Sequence, residues 1–543
     1  LLAGILITLG LLIYSRITFI LSLLGYGTAY LFYSAVGIDF DSLSYTFIGF
    51  NYILTAIALG GYYLIPGRTS FGWIILLLPA VVLITISTQQ LFMYFRVSPY
   101  SLPFNAIVLM FLYTLKLREK RSRYLVEPPV QMGSPEKNLY LYTGNILRFP
   151  AKYPVSTAMP FYGEWTVTQG HNGQYTHKAA WRHAWDFVIL DREGKQYQNS
   201  GNQVQDYYCF GKIVLAPADG IVVTVIDSIH DNQIGDVNVR DNWGNTVVIK
   251  HTEYLYSKLS HLKSGSVKVK KDDFVKKGQI VGQCGNSGRS PYPHLHFQFQ
   301  SNPYIGSATI EYPFGHYLLK EDSGYALKAF DYPVIDQILS NPQKNEILSK
   351  ALHFIPGSRM QVTFSVNSGS AKWKKRSGEY IWTIETDEYN NSFIRCSQTG
   401  AIAFLYNQGD MHFFTNFRGD KNSPLFWFYL TLFKVPISIQ PNSSIKDYIP
   451  VHMMFGGMLK FLQDILAPGI LFLKSEYKLV IRESDDILAP DHIKMKAGIF
   501  RSAGGNYIDE ISSFIDINQN SEINICINFR DVKLELICKN DLE

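Results

Sequence analysis

Gly285-Asn286-Ser287-Gly288-Arg289-Ser290-Pro291-Tyr292-Pro293-His294-Leu295-His296-Phe297-Gln298-Phe299 is the stretch whose reading decides the fold. Gly, Asn and Ser in succession make a tight turn, and Pro291 and Pro293 stiffen the chain just after it. From His294 to Phe299 the residues read as a β-strand. Side chains two apart on a strand project from one face, so His294 and His296 look into one cleft. Such a pair can bind one metal together, or one ring can bind while the other handles protons. Alone, two polar residues on a solvated strand face give the same pattern.

Working outward, short β segments separated by Gly and Pro fill residues 151–325, among them 220–226 and 244–249. Nine of the 13 histidines lie here: 171, 177, 183, 230, 251, 261, 294, 296 and 316. This region reads as an all-β domain. Five cysteines (209, 284, 396, 526, 538) are too few and too scattered for a disulfide scaffold or a cysteine-rich zinc site. Cys284 has no Cys-His-Asn pattern around it and reads as a small buried residue. A net charge of +5 from 50 Lys+Arg and 45 Asp+Glu offers no concentrated basic face for a nucleic acid. With 47% hydrophobic and 14% aromatic residues the chain is not disordered.

Residues 257–300, SKLSHLKSGSVKVKKDDFVKKGQIVGQCGNSGRSPYPHLHFQFQ, resemble the core of the lysostaphin/LytM-type zinc endopeptidases, and the similarity spans about 160–300. The family's Tyr-Ala-His-Leu element stands as Leu259-Ser260-His261-Leu262, and its Gly-Gln element as Gly278-Gln279-Ile280-Val281-Gly282. The Gly-Asn-Ser-Gly and Pro-His-Leu-His-Phe elements are intact. The resemblance implies Zn2+ as cofactor, held by a histidine, an aspartate and the second histidine of the pair. Carried over, the last two are Asp186 and His296. The common four-residue spacing would put the first histidine on Arg182, which cannot ligate. A variant spacing fits His177, with His183 as its rival. His294 and His261 take the places of the catalytic histidines. A degenerate, zinc-less binding module is the competing reading.

Residues 1–115 hold five charged residues: Arg16, Asp39, Asp41, Arg68 and Arg96. Apolar stretches run over 1–15, 17–36, 46–66, 72–93 and 104–117. A helix needs roughly 20 apolar residues to cross a bilayer, which the middle three reach. The region reads as an α-helical multi-pass membrane segment. The chain opens with Leu1, so the first stretch is read as a fragment whose upstream part is missing. Gly and Pro inside apolar runs mark broken helices of the kind a solute path needs. GFNYILTAIALGGYYLIPG (49–67) with SLPFNAIVLMFLY (101–113) resembles the second repeat of bacterial urea transporters. There Ser101 stands for the slot's threonine, Phe104 follows the proline, and Val97-Ser98 departs from the motif's Leu-Pro. The implied solute is urea or a small amide, with half a transporter in this chain. An ordinary helical anchor is the alternative.

Lys116, Arg118, Lys120, Arg121 and Arg123 follow the last apolar run, and Pro128-Pro129 and Gly133 continue as loop. The expected domains are thus 1–117 membrane segment, 118–150 basic linker, 151–325 zinc peptidase and 326–543 a β-rich domain of unknown role. In the last, alternation at 523–529 and 532–538 predicts a terminal hairpin, and a short helix is expected near 458–465. The expected function is a membrane-anchored zinc endopeptidase acting on peptidoglycan peptides. The alternative is a urea transporter fragment with an accessory module. The expected location is the bacterial inner membrane, with homo-oligomers forming through the membrane segment. A basic cluster beside a membrane helix favours the cytoplasm. The substrate class favours the outer side, which we take.

Overall fold

The computed structural model describes residues 2–37, 49–118, 125–128, 133–148, 155–322, 324–368, 371–407, 410–438, 442–482 and 491–541. Asp39, Asp41, Lys120, Arg121, Arg123 and Pro129 lie outside the described residues. The chain divides into two compact units. The first is 1–150 with 447–477 and 499–510; the second is 151–446 with 478–498 and 511–543.

The first unit is helical. Its helices are α1 (Leu2–Tyr14), α2 (Arg16–Val36), α3 (Phe50–Ile57, continued by a π-helical turn Ala58–Tyr62), α4 (Arg68–Met93), α5 (Leu102–Lys116) and α6 (Pro135–Arg148). Among the described residues, α2 and α4 are long and apolar enough to cross a membrane. Ser15 caps α2, its Oγ accepting from Thr18 N, and Gly37 ends it in the left-handed region. Glu136 of α6 adds to that cap: its carboxylate accepts from Ser15 Oγ at 2.8 Å and Ile17 N at 2.8 Å. A buried carboxylate there meets the positive end of the α2 dipole. Small residues let α2 and α3 touch. A Cβ on Gly25 would fall 2.9 Å from Tyr52 O and 3.0 Å from Ala56 Cβ.

The chain leaves the helix over 94–101, and α5 then starts at Leu102 with Pro103 in its first turn; Asn51 satisfies backbone groups on both sides of that start. Fully buried Asn51 donates from Nδ2 to Tyr100 O (3.0 Å) and accepts at Oδ1 from Phe104 N (3.2 Å). Backbone groups freed inside an apolar bundle need partners of this kind. Ser101 forms the cap position of α5, where Asn105 Nδ2 donates to its carbonyl oxygen at 3.0 Å.

The second unit is β-rich and antiparallel throughout its first part. Its strands are β1 (Trp165–Gln169), β2 (Ala184–Val188), β3 (Ile213–Leu215), β4 (Gly220–Ile226), β5 (Asn245–Thr252), β6 (Leu255–Leu262), β7 (Phe274–Val275), β8 (Ile280–Gln283) and β9 (Leu295–Gln300). They run in space as β1-β2-β9-β6-β5-β4-β7, with β3 and β8 paired apart. Apolar side chains alternate inward, and Trp165, Trp185, Phe187, Val247, Leu259 and Phe297 form one buried core. After residue 325 an antiparallel meander takes over, from 359–368 to 434–436. Ile523–Phe529 and Val532–Asp541 form the expected hairpin, closed at the Phe529–Val532 pair, with the second strand also pairing 359–368. The apolar run after Ser423 is the helix Pro424–Thr431, with all eight side chains buried.

Asn51→Ala orphans the Tyr100 carbonyl and the Phe104 amide, each worth about 1–3 kcal/mol when buried. The detergent-solubilised chain is expected to melt at a lower temperature than the parent, with helical circular dichroism unchanged before the transition.

Candidate metal and catalytic site

Sheet register builds the site. Asp186 on β2 and His296 on β9 are direct cross-strand partners, and Ser260 on β6 pairs with His296 from the other side. His177 arrives from the loop before the short turn Ala179–Trp181. Ligand atoms of His177, Asp186 and His296 lie within 4.8 Å of one another, and all three residues are buried. His183 does not join them: its ring sits edge-on to His171, centroids 4.9 Å apart, and its Nε2 accepts from Arg182 Nε at 3.0 Å.

Hydrogen bonds orient each ring. Carbonyl oxygens only accept, so His177 Nδ1, 3.0 Å from Gly170 O, must carry the proton. Its Nε2 lone pair is left facing Asp186 Oδ1 at 3.3 Å and makes no hydrogen bond. His296 is fixed by a relay. Gln300 Nε2 donates to Asn302 O and Tyr304 O, so its Oε1 accepts from Gln298 Nε2 at 2.9 Å. Gln298 then turns Oε1 to His296 Nε2 at 3.1 Å. His296 Nδ1 meets Asp186 Oδ1 at 2.9 Å, so both of its ring nitrogens face acceptors. Two imidazole nitrogens and a carboxylate oxygen converge on one point.

That donor set fits a metal ion, since a neutral His pair with one carboxylate is a tetrahedral zinc set with one position left open. Gln169 Nε2 holds the other carboxylate oxygen, Asp186 Oδ2, at 2.8 Å. Burial alone would raise the Asp186 carboxyl. The nearness of His177 and His294, with the close contacts of His177 and His296, outweighs burial and holds it well below the usual carboxylate range. Burial depresses His296 to about 4 despite Asp186 beside it. In His177 the Asp186 contact wins over burial and raises it.

The other two predicted histidines stand across the cleft. His294 Nδ1 donates to Tyr292 O at 3.0 Å, leaving Nε2 3.8 Å from Asp186 Oδ1. His261 Nδ1 donates to Ser287 O at 2.7 Å, and its ring lies 4.8 Å from that of His294. Burial, then His294 and His296, push His261 well below its usual range. The 285–290 turn explains this pairing. Ser287 Oγ donates to Leu262 O (2.7 Å), Asn286 N donates to Asp231 Oδ1 (2.6 Å), and Ser290 Oγ donates to Asn286 Oδ1 (2.9 Å). Gly288, at φ +81°, presses on Gly244, where no Cβ fits.

The cleft over the five residues has a volume of about 750 Å3, with Tyr175, Trp181, Trp243 and Tyr292 in its walls. Sequence reasoning missed Gln169, Gln298 and Lys258. Lys258 is fully buried, its Nζ 3.0 Å from the Trp243 ring centroid and donating to Ile305 O at 3.0 Å. Burial holds its ammonium well below the usual range. The Gln-x-Gln after His296 was the one visible signal, as alternate polar residues on a buried strand face.

Comparison with known proteins fits this geometry. The family model for the urea transporter matches residues 1–116, and that for Peptidase family M23 matches residues 201–305. The chain carries a urea transporter domain and an M23 peptidase domain. The two long apolar helices α2 and α4 fall within the urea transporter match. A curated relative, peptidoglycan DD-endopeptidase ShyC of Vibrio cholerae, is 38% identical over 71 residues, 13% of this chain. That match spans only 16% of the relative's length. Among solved structures, a zinc-containing peptidase from Vibrio cholerae is 24% identical with a TM-score of 0.19, covering 27% of this chain and 36% of that one. The lysostaphin catalytic domain of Staphylococcus simulans is 22% identical at a TM-score of 0.17, covering 27% and 87%.

Gln298→Leu removes the acceptor that faces His296 Nε2. Losing a partner of this kind typically costs 10–100-fold in metal affinity. Competition against a chromophoric zinc chelator is expected to show that loss, with the folded signal retained.

Proposed function

We propose that the chain is a zinc metalloendopeptidase of the bacterial inner membrane that hydrolyses peptide bonds in peptidoglycan cross-links. The convergence of His177, His296 and Asp186 ligand atoms within 4.8 Å carries this reading, and the M23 match and the endopeptidase relative support it. His177, Asp186 and His296 would hold Zn2+. Bound there, zinc supplies Lewis acidity toward the scissile carbonyl and lowers the pKa of a water toward about 7. His294, with Nδ1 tied to Tyr292 O, presents an Nε2 lone pair that takes the attacking water's proton and returns it to the leaving amine. His261, with Nδ1 tied to Ser287 O, also presents Nε2 as an acceptor, which orients the water. Trp181, Trp243 and Tyr292 line the cleft and shield the reacting atoms. The peptide substrate places the catalytic domain outside the cytoplasmic membrane. A reporter fused after Arg123 and active only in the cytoplasm would overturn that placement.

The test uses the full chain in detergent with purified sacculi, monitoring release of new amines. One zinc per chain and chelator-sensitive release are expected. His296→Ala should lose both metal and activity. His294→Ala should keep the metal and lose about 10²–10⁴-fold in rate. Release that survives chelation sinks the reading.

A second reading rests on the urea transporter match over 1–116. Ser101 and Phe104, at the start of α5, are its proposed slot residues, with urea as the solute and two such halves forming the pathway through association of copies. Urea-loaded proteoliposomes should then shrink or swell faster than empty ones, and Ser101→Leu should abolish the difference.

A further inference from the structure

The helix Gly457–Leu466 belongs to the first unit, together with α1 to α6, and it is built inside out for water. Two of its polar residues are its most buried: Gln463 is 0% and Asp464 1% exposed. Gln463 Oε1 accepts from Phe472 N at 2.8 Å and Leu473 N at 2.9 Å, and closes the turn after the helix. Asp464 accepts from Tyr140 Oη (2.7 Å) and Lys460 Nζ (2.7 Å), with Arg16 Nε 3.9 Å away. The opposite face is apolar and uncovered. Met458 is 70% exposed, and Leu459, Leu462, Leu466, Ile470 and Leu471 are exposed beside it. A helix that packs against a unit bordered by water points its apolar stripe inward. This one spends its polar groups on the protein and turns its apolar stripe away.

Two further observations say what covers that stripe. The helix sits at the ends of the long apolar helices. Asp464 faces Arg16, the first residue of α2, and Gly469 O accepts from Nε of Arg68, the first residue of α4, at 3.2 Å. Tyr14 and Tyr63, which shortly precede Arg16 and Arg68 in the chain, are exposed, as aromatic side chains are at a membrane–water boundary. Arg68 is exposed beside the stripe and complements anionic lipid headgroups, while Arg16 and Lys460 face Asp464.

We propose that Gly457–Leu466, with Ile470 and Leu471, is an interfacial anchor that lies in the plane of the bilayer crossed by α2 and α4. Its apolar face sinks to the headgroup–acyl boundary, as amphipathic helices of this kind do. The inference rests on the membrane reading of the first unit. It gives the segment 447–477 a function within that unit: it fastens the helix-start ends of α2 and α4 to the lipid surface through Arg16 and Arg68.

The test reads nitroxide accessibility in the full chain reconstituted in phosphatidylcholine vesicles with phosphatidylglycerol. Cys526→Ser removes a partly exposed thiol, the other four being buried. Labels then go at Leu462→Cys, at Met458→Cys, and at the exposed α4 position Leu76→Cys as the membrane control. Molecular oxygen is expected to relax all three labels more than a water-soluble nickel chelate does. A nickel-dominated Leu462 and Met458 beside an oxygen-dominated Leu76 overturns the anchor and leaves the membrane reading standing. Nickel dominance at all three positions overturns the membrane reading and the anchor with it. Labels at 462 and 458 that neither reagent reaches show a protein covering the face, which also overturns the proposal.

Discussion

The crowding of ring nitrogens around Asp186 Oδ1 is the constraint on which the M23-like domain depends. Ring nitrogens of His177 and His296 stand 3.3 and 2.9 Å from that oxygen. A desolvated cluster of acceptors is costly unless a cation or protons sit among them. The surroundings do not let the rings turn away. Gly170 O holds one, and the Gln298–Gln300 relay holds the other. Both rings are held by neighbours outside the cluster, so the direction of each toward Asp186 is set before anything binds there.

The same logic orders the parts around the site. The Gly285–Ser290 turn is a clamp, since its carbonyls and hydroxyls set the direction of His261 and His294 while Asp231 and Asn245 set the turn. The first unit uses the same device with different chemistry. Asn51 satisfies the backbone where a helix is broken, and Glu136 satisfies the start of α2. In both units a few buried polar side chains fix the backbone irregularities, and apolar packing fills the rest.

The strongly patterned features were legible from sequence. Strand periodicity marked β9 with His296 on it, His294 lying just before its start, and the long uncharged runs marked α2 and α4. Local turn chemistry gave the break before α5 and the terminal hairpin. The helix near 458–465 was also visible, but its allegiance was not. Its periodicity announces an apolar face without saying whether that face turns to protein or away from it.

What the sequence determined by itself was the chemistry available and its local geometry: imidazoles two apart at the start of a strand, a stiff turn before them, and uncharged stretches long enough to span lipid. These come from backbone periodicity and residue type, which act over a few positions. Only the tertiary structure decided which histidine meets Asp186. His177 and His183 are both near it in the chain, and the choice fell to Gly170 O and His171, which hold the two rings in different places. It also decided that Asp464 lies beside Arg16 and Tyr140, more than 300 residues away along the chain. Pairings of that range are set by sheet register and helix packing summed over the whole molecule, and no window of sequence contains them.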